Sequence, residues 1–263
     1  MSLPADCYDA PQYWDLGFGE DTMLEADFIV AAAQRYCDFE VRRLLEPGCG
    51  GGRLVVELAR RGFQVTGWDL SGPAVSFAQQ RLAEAGLTAD VRQADMRIEK
   101  LQPPADVAYC LVNTFRHLLT ETEARDHLRN IAASLRPGGL YIIGLHLLPP
   151  DADEEDDEEW TVSENDITVK IRLDVTGCSR ISRQETLRFC MTVKDPAQEN
   201  TQQLVTSYPM RIYQADQITQ LFRSVPEFQL LDVYDFWYDI EEPQPLSDEL
   251  GDAVFVLQKR LTT

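Results

Sequence analysis

Long apolar runs are missing from this sequence of 263 residues. No stretch approaches the roughly 20 apolar residues that a membrane-spanning helix needs. The first residues, MSLPADCYDAPQYW, contain neither the basic region nor the apolar region of a secretory signal. The sequence therefore predicts a cytoplasmic protein with no membrane partner.

Patterns that bind metal ions or form disulfide frameworks are also missing. The three histidines have no ligand-like spacing to the cysteines, and no two cysteines form a C-x-x-C pair. The cysteines are Cys7, Cys37, Cys49, Cys110, Cys178 and Cys190. We expect free thiols in a reducing compartment, and no metal site.

Positive charge is scarce. The chain carries 24 Lys and Arg residues against 44 Asp and Glu residues, which gives a formal net charge of −20. Such a surface repels a phosphate backbone, so we expect no nucleic-acid partner. It favours a small-molecule partner, and an amine over a phosphorylated compound. Since 44% of the residues are apolar, a buried core is expected.

Short apolar runs and amphipathic segments alternate from Val41 onward. The predicted strands are 43–46, 63–68, 88–93, 105–111 and 140–145, and the predicted helices are 52–61, 71–85 and 121–135. Ser71 is the predicted N-cap of the second helix, and Pro137-Gly138-Gly139 is predicted to end the third. This rhythm predicts an α/β fold with a parallel, doubly wound sheet.

The alternation stops at residues 151–159, which are acidic at every position but Ala152 and are predicted to be a solvated loop. Segments 167–175, 181–193 and 204–213 then alternate apolar and polar residues, separated by Thr176-Gly177 and Asp195-Pro196. They predict an antiparallel β insertion after strand five. A helix over 215–222 and strands over 228–237 and 253–258 follow.

A glycine-rich loop follows the first predicted strand, in LLEPGCGGGR from Leu44 to Arg53. Gly48, Gly50 and Gly52 give the spacing G-x-G-x-G. Backbone with so few side chains, between a strand and a helix, lets a ligand approach closely. The dinucleotide fingerprint would need its third glycine at position 53, which is Arg53.

Two carboxylates follow the next two predicted strands. Asp69 ends strand two, at the position where an acidic residue accepts hydrogen bonds from a ribose diol. Asp95 follows strand three and suits the exocyclic amino group of adenine, while Met96 can pack on the ring. Each acid alone could be a helix cap or an exposed loop residue. Together with the glycine loop they predict a nucleoside ligand.

These segments resemble the class I S-adenosylmethionine-dependent methyltransferases, most closely the bacterial small-molecule branch. The resemblance rests on EPGCGGGR, GWDLS, QADMR, ADVAYCLVNTFRHLL and LRPGGLYIIG, in order, over about residues 41–146. It implies S-adenosylmethionine as cofactor, S-adenosylhomocysteine as product, and a Rossmann-like seven-stranded sheet whose last strand is antiparallel.

The resemblance implies a division of the chain into four parts. Residues 1–40 are expected to form an N-terminal helical cap, and residues 41–149 the cofactor-binding core. Residues 150–212 are the acidic loop and β insertion, which we assign either to the substrate or to a dimer contact. Residues 213–263 are expected to complete the core sheet. Monomer and homodimer both stay open.

Site residues also follow from the resemblance. The implied cofactor-binding residues are Tyr13, Glu46, Gly48, Cys49, Gly50, Gly52, Arg53, Asp69, Leu70, Asp95, Met96, Leu111 and Asn113. Thr114, Arg211 and Tyr213 are the candidate substrate residues. His117 and His146 are candidate bases or substrate hydrogen-bond partners, with ordinary packing as the alternative for each. His127, inside a predicted helix, is expected to be structural or exposed.

The implied reaction is an in-line displacement at a sulfonium methyl group, for which the protein mainly aligns the acceptor and excludes water. A nicotinamide-dependent oxidoreductase is a competing interpretation, disfavoured by the glycine spacing and by Asp95-Met96. A non-catalytic S-adenosylmethionine-binding regulator is another, since the reaction requires no nucleophilic residue. Aminopropyl transfer on the same fold is a further alternative.

Overall fold

Two β-sheets and six α-helices build the described part of the chain. The computed structural model describes residues 6–152, 157–197 and 201–261. The strands are β1 (Arg43–Pro47), β2 (Gln64–Asp69), β3 (Asp90–Gln93), β4 (Ala105–Cys110), β5 (Leu135–His146), β6 (Asp157–Glu164), β7 (Ile167–Ser179), β8 (Gln184–Lys194), β9 (Gln202–Arg211), β10 (Phe228–Tyr234) and β11 (Asp252–Lys259). The helices are α1 (Pro11–Gly17), α2 (Thr22–Tyr36), α3 (Arg53–Arg60), α4 (Gly72–Glu84), α5 (Glu121–Ser134) and α6 (Ala215–Arg223).

The larger sheet has seven strands in the order β10-β11-β5-β4-β1-β2-β3. Strands β1 to β5 pair in parallel. Strand β11 runs antiparallel to both β5 and β10. The predicted fold class, a Rossmann-like sheet with an antiparallel last strand, is confirmed. The order reverses beside β1, so the carboxyl ends of β1 and β4 flank the crevice where ligands bind in such sheets.

Helices cover both faces of this sheet. All six residues of β4 are buried, as expected for a central parallel strand. Their side chains alternate, so that Tyr109 joins the core cluster containing Phe28 of α2 and Leu54 of α3, whereas Cys110 joins the cluster containing Leu128 of α5.

Side chains cap two of the core helices. The Ser71 hydroxyl accepts a hydrogen bond from the Ala74 amide at 3.2 Å, which confirms Ser71 as the N-cap of α4. Thr120 and Glu123 form a capping box at the start of α5. These caps set the helix entrances near the carboxyl edge of the sheet.

The smaller sheet has the antiparallel order β6-β7-β8-β9. One face packs on the N-terminal segment, where Ile171, Phe189 and Met191 form a buried cluster with Tyr13. The indole nitrogen of Trp160 donates to the Gly17 carbonyl at 3.0 Å. The insertion and the N-terminal helices therefore form one packed unit.

The predicted boundaries of the insertion need correction. Residues 157–159 belong to β6 and are not loop, because Glu159 pairs with Lys170 at 2.7 Å and Asp157 with Arg172 at 3.1 Å across the strands. The rest of the acidic segment, 153–156, lies outside the described residues. Strand β7 continues through Thr176-Gly177, where the predicted turn is replaced by a register shift between Val175 and Gly177.

The start of β5 was also predicted too late. The strand begins at Leu135 and includes Pro137-Gly138-Gly139, which the sequence pattern assigns to a turn. Ala105 of β4 pairs with Leu135, which extends β5 toward its amino end. A register shift separates this pair from the next one, Val107 with Leu140. Such a shift lets β5 contain extra residues that have no partner in a regular pairing with β4.

Membrane-spanning helices, metal-binding clusters and disulfide bonds are absent from the described residues. No helix within the described ranges is both long enough and apolar enough to span a bilayer. The same ranges hold no group of His, Cys, Asp and Glu side chains arranged for a metal ion. The six cysteines, all within these ranges, are not joined by disulfide bonds.

Candidate functional site

A cavity of about 760 Å³ lies between the carboxyl edge of the larger sheet and the smaller sheet. Its polar wall is formed by residues at or just beyond the carboxyl ends of β1, β2, β3 and β4, including Glu46, Asp69 and Asp95. Most of the rest of its lining comes from residues 8–18 and from β6 to β9. The site therefore needs both the core and the insertion.

The glycine loop supplies open backbone to the polar wall. Gly48 and Gly50 have φ values of +72° and +53°, which side chains rarely tolerate. A Cβ on Gly48 would lie 2.4 Å from the Thr114 methyl group, whereas a Cβ on Gly50 would have no described atom within 4 Å. Gly50 therefore exposes open backbone to the cavity.

Asp69 ties this loop to the end of β2. Its carboxylate accepts hydrogen bonds from the amides of Gly50 and Ser71, both at 2.8 Å. Burial raises the pKa of Asp69 above its ordinary value, although both amide donors oppose that shift. Asp69 lines the cavity with lone pairs left for a ligand donor.

Glu46 is the least satisfied group of the polar wall. Its side chain is buried, and within the described residues its Oε2 has no hydrogen-bond partner. Burial raises the pKa of Glu46 well above its ordinary value, which the positive charge of Arg53 and the nearby Tyr109 hydroxyl only partly offset. The geometry between Tyr109 OH and Oε2 does not form a hydrogen bond. Arg53 itself is paired with Glu25 at 2.6 Å. An unpaired buried carboxylate oxygen at a cavity is a binding position for a cationic or N–H donor.

The N-terminal helix is fastened to the same loop. Arg81 of α4 donates to the Gly51 carbonyl at 3.1 Å and forms a salt bridge with Asp15 of α1. Burial raises the pKa of Asp15, and the charge of Arg81 opposes the shift. This contact places α1 over the amino end of α3.

The third carboxylate of the wall has a different environment. Asp95 is paired with Arg97 at 2.6 Å, and the guanidinium lowers the pKa of Asp95. Met96 lines the cavity beside it, and its carbonyl is hydrogen-bonded to His127 at 2.7 Å. Leu70 also lines the cavity and is 67% exposed. Leu70, Asp95 and Met96 thus line the same cavity as Asp69.

Strand β4 ends in a tight turn at the cavity. Val112 and Asn113 have φ values of +52° and +66°, a conformation uncommon for residues other than glycine. The Asn113 side-chain oxygen accepts from the His146 amide at 2.8 Å, which joins the ends of β4 and β5. Leu111 and Thr114 line the cavity on either side of this turn.

The three histidines differ in their environments. Tyr8 OH lies 3.4 Å from His117 Nε2, and burial lowers the pKa of His117 to about 4, so its ring stays neutral at physiological pH. His127 has both nitrogens bonded at 2.7 Å, to the Met96 carbonyl and to Tyr141 OH, which confirms the predicted structural role.

His146 is held through one nitrogen only. Its Nδ1 is hydrogen-bonded to the carboxylate of Asp252, and its ring lines the cavity. Nε2 has no hydrogen-bond partner within the part of the chain that the structure describes. A carboxylate at Nδ1 keeps the proton on that nitrogen and leaves Nε2 as a hydrogen-bond acceptor.

Four residues expected at the site lie away from the cavity. Tyr13 donates to Asp195 at 2.7 Å beneath the smaller sheet. Gly52 packs on α4, where an added Cβ would lie 2.8 Å from Ala78. Arg211 is buried against Glu121 at 2.8 Å, and its guanidinium lies 5.4 Å from the ring centre of the buried Tyr213.

Strand alternation explains the correction at β9. Tyr208 and Met210 line the cavity, so odd-numbered Arg211 points to the opposite face. In the N-terminal segment, Tyr8 and Trp14 line the cavity and Tyr13 does not. The aromatic composition of residues 8–18 was a usable signal for this segment, but no sequence signal singled out Asp252.

Comparison with known sequences finds a family that the core resembles. Residues 44–139 match the family described as methyltransferase domain. The chain is 37% identical over 105 residues to a ubiquinone biosynthesis O-methyltransferase of Caulobacter sp. (strain K31), covering 40% of this chain and 41% of that protein. It is 35% identical over 131 residues, 48% of each chain, to the enzyme of the same name from Maricaulis maris (strain MCS10). The chain spans about half the length of the curated relatives it matches.

Solved structures share the fold over nearly the whole chain. An S-adenosylmethionine-dependent methyltransferase from Clostridium acetobutylicum ATCC 824 superposes with a TM-score of 0.79 at 15% identity, covering 97% of this chain and 100% of that one. A sugar N-methyltransferase from Streptoalloteichus sp. ATCC 53650 gives 0.75 at 18% identity, covering 99% and 96%. An amino pentose methyltransferase from Micromonospora echinaspora, solved with S-adenosylmethionine, gives 0.68 at 21% identity, covering 91% and 90%. At these identities the likeness establishes the fold.

Proposed function

We propose that the protein is a class I S-adenosylmethionine-dependent methyltransferase, which transfers the methyl group of S-adenosylmethionine to a small-molecule acceptor. The match of residues 44–139 to the methyltransferase domain family and the shared fold support this proposal. S-adenosylhomocysteine is the second product. The observation that carries this proposal is the unpaired, buried Oε2 of Glu46 beside the open backbone of Gly50.

The polar wall fits this cofactor in charge and in hydrogen-bonding chemistry. S-adenosylmethionine carries a sulfonium and an α-ammonium group, and the wall presents the carboxylates of Glu46, Asp69 and Asp95. Glu46 would accept from the ammonium group, Asp69 from the ribose hydroxyls, and Asp95 from the adenine amino group. Two observations support this assignment. All three wall residues carry carboxylates, which attract the positive charges of the cofactor, and Oε2 of Glu46 lacks a hydrogen-bond donor among the described residues.

The chain positions the reactants and excludes water. S-adenosylmethionine, when bound, supplies an electrophilic methyl group on a sulfur that leaves as a neutral thioether. The N-terminal segment and the smaller sheet close the cavity opposite the polar wall, with Trp14 and Tyr208 in its lining. Aligning two reactants in such a site removes much of the entropic barrier to reaction.

His146 is the group that we assign to proton removal from the acceptor. Both nitrogens of His127 are occupied. His117 also lines the cavity, but its Nε2 faces Tyr8 OH, and no carboxylate of the described residues is hydrogen-bonded to its ring. In His146, Asp252 orients the ring and leaves Nε2 open toward the cavity. This arrangement, a base oriented by a carboxylate, is suited to general-base catalysis. Asp252 is then a positioning residue.

Thermal unfolding with S-adenosylmethionine, S-adenosylhomocysteine and NAD tests the cofactor. A ligand at 100 times its dissociation constant stabilises the folded state by about 2.7 kcal/mol, which for this size raises the melting temperature by roughly 5–10 °C. We expect a shift with both sulfur nucleosides and none with NAD. A higher melting temperature with NAD alone would favour the oxidoreductase interpretation. An unchanged melting temperature with all three compounds would contradict the proposal.

A further inference from the structure

The cavity wall opposite the carboxylates is built from aromatic rings. We call it the aromatic wall, formed by Tyr8, Trp14, Phe18, Trp160, Phe189 and Tyr208. Ring centres are 4.8 Å apart for Tyr8 and Trp14, and 4.5 Å apart for Trp14 and Phe189. Phe18 and Trp160 meet edge to face at 5.7 Å. These contacts hold the rings in place before any ligand binds.

Aliphatic side chains extend this wall, and no cofactor role is assigned to any part of it. Leu173, Leu187 and Met210 complete the lining on the insertion side. The proposed cofactor is accounted for by the polar wall, so the aromatic wall is the part of the cavity left for the acceptor. The inference therefore rests on the proposed function.

The charges around the cavity exclude a phosphorylated acceptor. Two arginines line it, and both are already paired. Arg53 is bound to Glu25 at 2.6 Å, and Arg97 to Asp95 at 2.6 Å and to Glu123 at 3.1 Å. A phosphate group would have to separate one of these pairs, which leaves a carboxylate without its partner.

Three further carboxylates line the cavity, and one of them, Asp15, is paired with Arg81. Asp9 and Glu158 belong to the lining, and neither forms a salt bridge within the described ranges 6–152, 157–197 and 201–261. Negative charge next to aromatic faces favours a cation, because a ring face attracts positive charge and a carboxylate pairs with it.

We propose that the aromatic wall binds a ring-containing, non-phosphorylated amine as the methyl acceptor. The ring packs on Trp14 and Trp160, and the amino group faces His146. In the reaction the bound ammonium first gives one proton to Nε2 of His146, which leaves a lone pair on the nitrogen. This lone pair forms an N–C bond to the methyl group, and the C–S bond breaks with its electrons remaining on sulfur. The methylated product is again an ammonium, and His146 returns its proton to solvent.

Calorimetric titration of the full chain with a matched pair of probes tests this inference. The probes are tyramine and tyramine O-phosphate, which differ only in the phosphate group. Each is titrated with and without saturating S-adenosylhomocysteine, so that the aromatic wall is tested even if the nucleoside does not bind. Tyramine should bind, and its phosphate ester should bind at least about tenfold more weakly, a difference of about 1.4 kcal/mol.

Two tryptophan variants locate the binding. Trp160→Leu should weaken tyramine binding at least about fivefold, which corresponds to roughly 1 kcal/mol, and should leave the affinity for S-adenosylhomocysteine unchanged. Trp237→Leu is the matched control, because Trp237 is 81% exposed and lies outside the cavity. Tighter binding of the phosphate ester, no tyramine binding, or equal effects of the two variants would overturn the inference. Failure of the nucleoside alone to bind would count against the proposed function instead.

Discussion

Nδ1 of His146 is hydrogen-bonded to the carboxylate of Asp252, its directly opposite partner in the antiparallel pairing of β5 with β11. The two residues are 106 positions apart in the chain. Register alone therefore sets the geometry of the proposed base, because residues opposite one another in adjacent strands project to the same face. This pairing links the antiparallel end of the sheet to the chemistry of the cavity.

The substitution Asp252→Asn should lower the rate of methyl transfer and leave the affinity for the cofactor unchanged. An amide can donate to Nδ1, which favours the tautomer whose Nε2 carries the proton and cannot accept another. We expect a loss on the order of 10²-fold in the rate of S-adenosylhomocysteine formation with tyramine, the lower range for general acid–base catalysis.

Nitrogen NMR shifts of the His146 ring report the tautomer directly and need no acceptor. Asp248→Asn is the control, since this exposed acid does not line the cavity. An unchanged tautomer together with an unchanged rate in Asp252→Asn would remove the positioning role.

Gly50→Val should abolish cofactor binding, because the new side chain projects into space that no described atom fills. The substitution should also destabilise the fold through backbone strain, since Gly50 has a φ of +53°. Gly86→Val is a matched control with a φ of +65° and equally open surroundings, away from the cavity. Both variants should lose similar stability in urea unfolding, about 1–2 kcal/mol. Only Gly50→Val should lose affinity for S-adenosylhomocysteine, and equal affinity in the two would mean that the loop does not touch the ligand.

Asp69→Ala should weaken binding of S-adenosylmethionine by roughly 1–3 kcal/mol, the range for losing a hydrogen-bond partner of a charged group. The variant also frees the amides of Gly50 and Ser71, so the loop loses its tie to β2. Calorimetric titration measures the affinity, with Asp248→Ala as the exposed control. Wild-type affinity in Asp69→Ala would end the assignment of this carboxylate to the ribose.

Acid should destabilise the protein through His127. Burial lowers the pKa of this histidine from 6.5 to about 4, so between these values the unfolded chain binds a proton that the folded protein does not. Stability therefore falls as the pH drops from 6.5 toward 4, by about 1.4 kcal/mol per pH unit for such a group. Urea unfolding at pH 7, 6 and 5 should show a shallower decline for His127→Gln than for the wild type. Parallel declines would contradict the role of His127.

Local patterns were sufficient to predict the core of the fold. The alternation of apolar strands with amphipathic helices predicted β1 to β5 and their order of connection, because each element buries one face against the next. The glycines of the loop, Asp69 and Asp95 were placed at one sheet edge from sequence, since the carboxyl ends of parallel strands share an edge.

The rest of the candidate site depends on pairing between strands that lie far apart in the sequence, which a local pattern does not encode. Strand β6 was missed because its acidic residues are compensated only by Lys170 and Arg172 on the neighbouring strand. Arg211 was placed at the site, while the face that lines the cavity carries Tyr208 and Met210. A shift of one residue in a strand changes the face on which a side chain lies.

By itself, the sequence determined the class of fold and the set of residues that meet at the carboxyl edge of the parallel strands, since these depend on spacing within short segments. Only the tertiary structure decided which histidine at the cavity is oriented by a carboxylate and which aromatic rings line the cavity. Those properties arise where β5 meets β11 and where the insertion packs on the N-terminal helices. Contacts between residues so far apart in the chain are set by register and packing, and no local pattern of residues specifies them.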